Sequence, residues 1–125
     1  MMASFKLTRT DFESLNEEPG VFYIDFDNGM SYFCASQNIA EDVEAIARQA
    51  YNWDGKIAWQ KEIYKDWYKE DFKTFEKFVY AFFIVNKLFI QYSTFCPDKL
   101  ETWKKEAIQE IYEKGEREYY YNTDF

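Results

Sequence analysis

The side chains able to do chemistry in this chain are carboxylates, phenols and amines: 23 acids, 15 Lys and Arg, 11 tyrosines, two cysteines and no histidine. The lack of histidine removes His-based triads, Cys/His nucleophile pairs and the usual zinc patterns. Cys34 and Cys96 make neither a disulfide framework nor a metal spacing, and they fit a reduced intracellular compartment. No Gly-rich phosphate loop occurs, and neither a metal nor a cofactor is expected. Lys61, Lys65, Lys69, Lys73 and Lys77 recur at every fourth position, but Glu62, Asp66 and Glu70 interleave with them. That pattern reads as a solvated helix face laced with ion pairs rather than a nucleic-acid stripe. Glu41, Asp42 and Glu44, with Asp25 and Asp27 upstream, form an acidic set suited to binding a basic partner. Tyr119, Tyr120 and Tyr121 stand among acids near the end of the chain, where phenol rings offer contact area at low entropy cost.

The net charge of −8 is unevenly spread. Residues 1 to 54 hold ten acids and three bases, whereas residues 55 to 125 hold thirteen acids and twelve bases. Binding to phosphate backbones needs clustered Lys and Arg, so direct DNA or RNA binding is not expected. The longest apolar run, Phe78 to Val85, is far too short to span a bilayer, and no charged-then-apolar leader is present. A cytoplasmic protein without membrane contact is expected.

These residues need elements to position them. A length of 125 residues suits one domain, and 22% aromatic content predicts an aromatic core. The expected fold is α+β: a small antiparallel sheet flanked by helices at about 39–51, 56–72 and 97–114, spanning residues 1–115, with an acidic, tyrosine-rich tail at 116–125. Residues 1–9 read as a lead-in in which Phe5 and Leu7 alternate with polar neighbours. Thr10 is a candidate cap for a short helix from Asp11 to Glu18, which Pro19-Gly20 ends. Residues 21–35 form a hairpin: Val21 to Phe26 runs out, Asp27-Asn28-Gly29 turns, and Ser31 to Ala35 returns. Gln37-Asn38 caps a helix whose inner row is Ile39, Val43, Ile46 and Ala47. Asn52 to Gly55 is a turn, followed by a helix with Trp59, Ile63 and Trp67 in one row. Phe78 to Val85, aromatic and β-branched, reads as a buried central strand that Asn86-Lys87 turns into a second hairpin with Leu88 to Tyr92; a continuous helix is the alternative. Pro97 opens the last helix, with Leu100, Trp103, Ala107, Ile108 and Ile111 inward, and Gly115 stops it. The tail is expected to fray, with docking as an extended edge the alternative.

The stretch from Pro19 to Ile39 resembles the GIY-YIG nuclease domain, in the version found in nucleotide-excision-repair nucleases. Gly20-Val21-Phe22 stands for the first triplet and Tyr32-Phe33-Cys34 for the second, with residues 23 to 31 between them. Ser36, Asn38, Ile39 and Val43 also fall on commonly shared positions, and the resemblance covers about residues 19–46. It implies a third strand beside the hairpin, and a catalytic set of first-triplet tyrosine, helix arginine and metal-binding glutamate. This chain departs from that set. Phe22 has no hydroxyl to move a proton, Cys34 stands at the second-triplet glycine, and Asp42 stands at the arginine position. Of the triplet positions Tyr32 is kept. The metal glutamate would be one of Glu101, Glu106 and Glu110, among which the sequence does not choose. The resemblance therefore implies a nuclease fold without the nuclease.

The expected function is that of a catalytically inactive, acidic protein that binds and inhibits a basic nucleic-acid-handling or defence protein, by DNA mimicry or simple occlusion. Small size and a Phe/Tyr/Lys/Ile-leaning composition are in keeping with a phage or mobile-element gene, placing the protein in a host cytoplasm. One alternative is a residual metal-dependent endonuclease using Tyr32, one C-terminal glutamate and Tyr23 in place of Phe22, although Tyr23 would point to the opposite strand face. Another is an oligomeric assembly protein that buries surface aromatics such as Trp53 and Trp67.

Overall fold

The computed structural model describes residues 4–7, 14–56, 58–64, 72–93 and 97–121. Four strands, β1 (Ser4–Leu7), β2 (Gly20–Asp25), β3 (Ser31–Ser36) and β4 (Lys87–Tyr92), form one antiparallel sheet in the order β1-β4-β2-β3. The helices are α1 (Ile39–Tyr51), α2 (Ala58–Tyr64), α3 (Phe75–Val85) and α4 (Leu100–Glu113). The fold is thus α+β, as composition and patterning predict.

The hairpin forms as its sequence dictates. The turn closes through the Phe26 N–H donating to Met30 O at 2.8 Å and the Gly29 N–H donating to Phe26 O at 3.1 Å. Alternation along β2 then sorts the core into two layers. Phe22 and Ile24 face α1 and α3, together with Leu88 and Ile90 of β4 and with Phe78, Val79, Phe82 and Phe83 of α3. Val21 and Phe33 face α4, where Leu100 and Ala107 cover them and Tyr23, Ala35, Trp103 and Ile108 pack around. The sheet is therefore covered by helices on both faces, with Phe22, Phe33, Phe82 and Phe83 fully enclosed.

Several expectations are corrected. Phe78 to Val85 is not a strand: it lies within α3, so no second hairpin precedes β4. Thr74 caps this helix by accepting from the Lys77 N–H at 3.3 Å. Phe78, Val79, Phe82 and Phe83 are buried while Tyr80, Ile84 and Val85 are exposed, which is helical periodicity. At its end Asn86 donates from both its backbone N–H and its Nδ2 to Phe82 O, and the chain passes directly into β4. The lead-in contains β1, paired from Ser4↔Gln91 to Leu7↔Leu88. Within the expected helix Asp11–Glu18, Ser14 has 3-10 conformation and residues 15–18 are bends and irregular backbone, the rest lying outside the described residues.

The other helices follow their signals. Asn38 is the N-cap of α1, accepting from the Glu41 N–H at 3.1 Å. A short 3-10 turn, Pro97–Lys99, leads into α4. That helix closes in a Schellman motif in which the Glu116 N–H donates to Ile111 O and the Gly115 N–H to Tyr112 O, with Gly115 at φ 66°. Of the expected helix at 56–72, the described part is α2; Lys65, Lys69 and Trp67 lie outside the described residues. The described part of the tail, residues 116–121, docks instead of fraying, and residues 122–125 lie outside the described residues. Tyr120 bridges Ser31 in parallel, and the Tyr121 N–H donates to Ser31 O at 2.8 Å. No helix among the described residues is long and apolar enough to cross a membrane.

Candidate functional site

The junction of β3 and α1 carries the positions singled out by the nuclease resemblance. Phe22 has no exposed surface and belongs to the layer under α1 and α3. Its cross-strand partner is Cys34, and that of Ile24 is Tyr32. Burial pushes the Cys34 thiol up to about 11, with the nearby Asp42 charge adding to the effect and Lys104 opposing it. At neutral pH this sulfur is a protonated thiol and a poor nucleophile. Asp42 points back into the fold: its Oδ2 accepts from the Ser36 hydroxyl at 2.5 Å, and Ser36 Oγ accepts from the Asn38 N–H at 3.0 Å. Ser36 is 1% exposed, so this relay satisfies a buried hydroxyl and fixes the strand-to-helix corner. At the position that the resemblance assigns to an arginine, this chain has a carboxylate engaged by the Ser36 hydroxyl.

Tyr23 lies on the opposite face, 5.2 Å centroid to centroid from Phe33 and beside Tyr120. Together with Ala107, Glu110, Ile111, Lys114 and Glu116 they line a cavity of about 190 Å³. Burial, followed by neighbouring charge, raises both phenols to about 12, so they remain neutral donors. Lys114 Nζ and Glu110 Oε1, 2.6 Å apart, form an exposed i,i+4 pair at its rim. Sequence reasoning assigned Tyr23 no role in a cavity, because the apposition of β2, α4 and Tyr120 is set by long-range packing.

The acidic candidates do not converge. Asp25 accepts from the Ser31 hydroxyl at 2.8 Å, and Asp27 is exposed in the hairpin turn. Glu41 is exposed at the start of α1, and Glu44 is paired with Arg48 at 2.9 Å. The register sets Asp25 opposite Ser31 and Gly20 opposite Ser36. The hairpin acids and the α1 acids therefore sit at opposite ends of the sheet, roughly 15–20 Å apart along the strands. The tyrosines also divide: Tyr119 is 51% exposed, Tyr120 belongs to the α4 layer, and Tyr121 packs in the other layer. Tyr121 lies 5.1 Å from Trp59 and 5.5 Å from Phe26, with its hydroxyl accepting from Asn28 Nδ2 at 2.7 Å. Glu101, Glu106 and Glu110 are exposed on α4, and the described residues include no group of three or more Cys, Asp or Glu side chains placed to hold a metal.

A larger cavity, about 330 Å³, opens beside the C-terminal end of α1, where Arg48, Gln49, Asn52, Trp53, Asp54 and Gln60 line it. Arg48 is held by Glu44 and stands 4.2 Å over the Phe75 ring. Asp54 accepts from the Lys56 N–H at 3.1 Å, a bond that holds its carboxyl below the usual value. Trp53 is half-buried against the core, and Gln60 is fully buried. Nothing in the sequence marks Gln60, one polar residue beside the apolar row of α2.

No known protein family, curated protein or solved structure matches this chain.

Proposed function

We propose that the chain is a non-catalytic binding protein on a degenerate GIY-YIG-like scaffold, acting on a basic, nucleic-acid-handling partner in the cytoplasm. The observation that carries this reading is the state of Asp42: at the position where a phosphate-binding arginine would stand, a carboxylate is locked by Ser36. Phe22, fully enclosed at the first-triplet position, supports it from the other side of the same corner. A carboxylate near 5 Å from a phosphate repels it by about 3 kcal/mol at an effective dielectric of about 20. The pairing of β4 beside β2 supplies the third strand that the resemblance implies. With a net charge of −8 and no nucleic-acid footprint, the surface favours basic proteins over phosphates. Inhibition of a host defence protein by a phage-encoded chain is the form in which this reading is most specific.

Capture from a host lysate, followed by purified reconstitution, tests the proposal. The expected result is a DNA-binding partner whose duplex binding is competed by the chain. Competition should weaken with salt and in the Asp27→Asn, Glu41→Gln double variant, which touches only exposed acids. Mg²⁺-dependent nicking by the wild type, lost in Tyr32→Phe, would replace this reading with the nuclease.

A second reading, assembly into an oligomer, is favoured by one observation. Tyr80, Ile84 and Val85 on α3 are 47%, 62% and 38% exposed, an apolar strip on one helix. Sedimentation at several concentrations, with wild type and Ile84→Lys, separates a self-associating chain from a monomeric inhibitor.

A further inference from the structure

The 190 Å³ cavity between β2, the C-terminal end of α4 and the tail is walled by polar groups that the fold leaves unused. Tyr23 and Tyr120 are half-buried in its wall, and among the described residues no hydrogen bond engages either phenol hydroxyl. Each hydroxyl offers one donor and two lone pairs. Tyr120 and Glu110 both act electrostatically on the Tyr23 phenol, which places the two hydroxyls and that carboxylate around one space. Glu116 lines the same space with no ion pair among the described residues, whereas Lys114 is taken by Glu110 at 2.6 Å. The lining thus holds two carboxylates against one ammonium, and Asp25 adds its charge at Tyr120. The negative pole of α4 falls at the same end. Backbone bonds fix these groups in place: the Glu116 N–H donates to Ile111 O, the Tyr120 N–H donates to Arg117 O, and Tyr120 bridges Ser31.

We propose that this cavity receives one arginine side chain of the basic partner, its guanidinium held by the Glu116 carboxylate and the Tyr23 and Tyr120 hydroxyl oxygens. The inference rests on the reading of the chain as a binder of basic proteins, and it names the contact. Acceptors and negative charge select a cation, and the volume lies below the roughly 300–1,000 Å³ of drug-sized ligand sites, which suits a single side chain. The acceptors come from β2, α4 and the tail, so they surround the space instead of meeting at a point. A guanidinium presents five N–H donors in a planar fork and stacks on aromatic rings, whereas an ammonium is a compact, strongly hydrated point charge. The Lys114–Glu110 pair is more than half exposed on both sides, so it resists an incoming cation only weakly. Neither Asp27 nor Glu41 lines the cavity, so it can be tested apart from those exposed acids.

The test uses the full chain with isotope-labelled tyrosine rings, the Tyr23 and Tyr120 resonances being assigned from Tyr23→Phe and Tyr120→Phe. Capped tripeptides with arginine, lysine or citrulline between two glycines are titrated into the millimolar range at constant ionic strength. The expected result is saturable movement of both tyrosine resonances with the arginine peptide, weaker binding of the lysine peptide, and none of the citrulline peptide, a neutral isostere. Glu116→Gln keeps the backbone bond to Ile111 and should weaken arginine binding roughly tenfold, the loss expected for a hydrogen bond to a charged group. Equal binding of the citrulline or lysine peptide, unchanged affinity in Glu116→Gln, or no movement of either resonance would overturn the proposal. The wild-type titrations decide the matter even if a variant fails to fold. Arginine-peptide binding by a chain that captures no basic partner would retire the partner reading and leave the cavity's specificity standing. A captured partner that binds wild type and Glu116→Gln equally would do the reverse.

Discussion

At the scale of single residues, the β3–α1 corner turns on Ser36. Its hydroxyl both accepts from Asn38 and donates to Asp42 while 1% exposed, so Ser36→Ala strips two groups of their partner at once. A loss of about 1–3 kcal/mol is expected in denaturant melts, the range for orphaning a buried polar group. Phe22→Tyr tests the nuclease resemblance directly. It places a hydroxyl in a fully enclosed site, so it should destabilise by about 1–3 kcal/mol and produce no nicking of plasmid DNA with Mg²⁺. Alkaline stability follows from the raised thiol and phenols. Cys34, near 11 when folded against an ordinary 9.0, and Tyr23 and Tyr120, near 12 against 10.0, hold protons that the unfolded chain releases first. Their stabilisation is complete below pH 9 and is lost as pH rises through 9 to 12. Denaturation midpoints measured at pH 8, 10 and 11 should fall in that order, and Tyr23→Phe should flatten the upper part of the slope. Gln60 shows where residue reading stops. Its identity is plain in the sequence, but its enclosure, with no hydrogen-bond partner for its amide among the described residues, arises only from long-range packing.

Elements were legible where their signals are local. The Asp27-Asn28-Gly29 turn, the Asn38 cap and the Gly115 stop each act within a few residues of the bonds they make, and β2, β3, α1 and α4 follow from them. The strip from Phe78 to Val85 reads first as a strand, with a helix only the alternative, for a physical reason. Its exposed positions, Tyr80, Ile84 and Val85, are as apolar as its buried ones, which erases the contrast that reveals a helix. The signal that decides the matter is Thr74, which accepts from the Lys77 N–H and starts the helix. Thr74→Ala should therefore cost about 1 kcal/mol and lower the helical circular-dichroism signal. In β2 the corresponding sensitive point is Gly20. A Cβ there would sit 2.3 Å from the Gln91 carbonyl oxygen, so Gly20→Ala must push β2 and β4 apart. A destabilisation of about 1–3 kcal/mol is expected, the range for overpacking a tight interior, together with faster exchange of the β4 amides.

Across the whole molecule, the sheet ends where two distant stretches of chain lie along it: β1 beside β4 at one edge, and Tyr120 and Tyr121 on Ser31 at the other. The sequence offers β1 only as a lead-in and tail docking only as the alternative to fraying, since β1 is four residues long and the docking of Tyr121 depends on Phe26, Asn28 and Trp59, all far away in the chain. The arrangement has a consequence for biosynthesis. Ser4 pairs with Gln91, so β1 leaves the ribosome with its partner strand still unmade. At roughly 5–20 residues per second the nascent chain waits several seconds for β4, with an unzipped strand and an aromatic-rich hairpin exposed to whatever else the cell is translating. Holdase chaperones, which favour unpaired strands and bare aromatic surface, would set the yield of this protein as much as its final stability does.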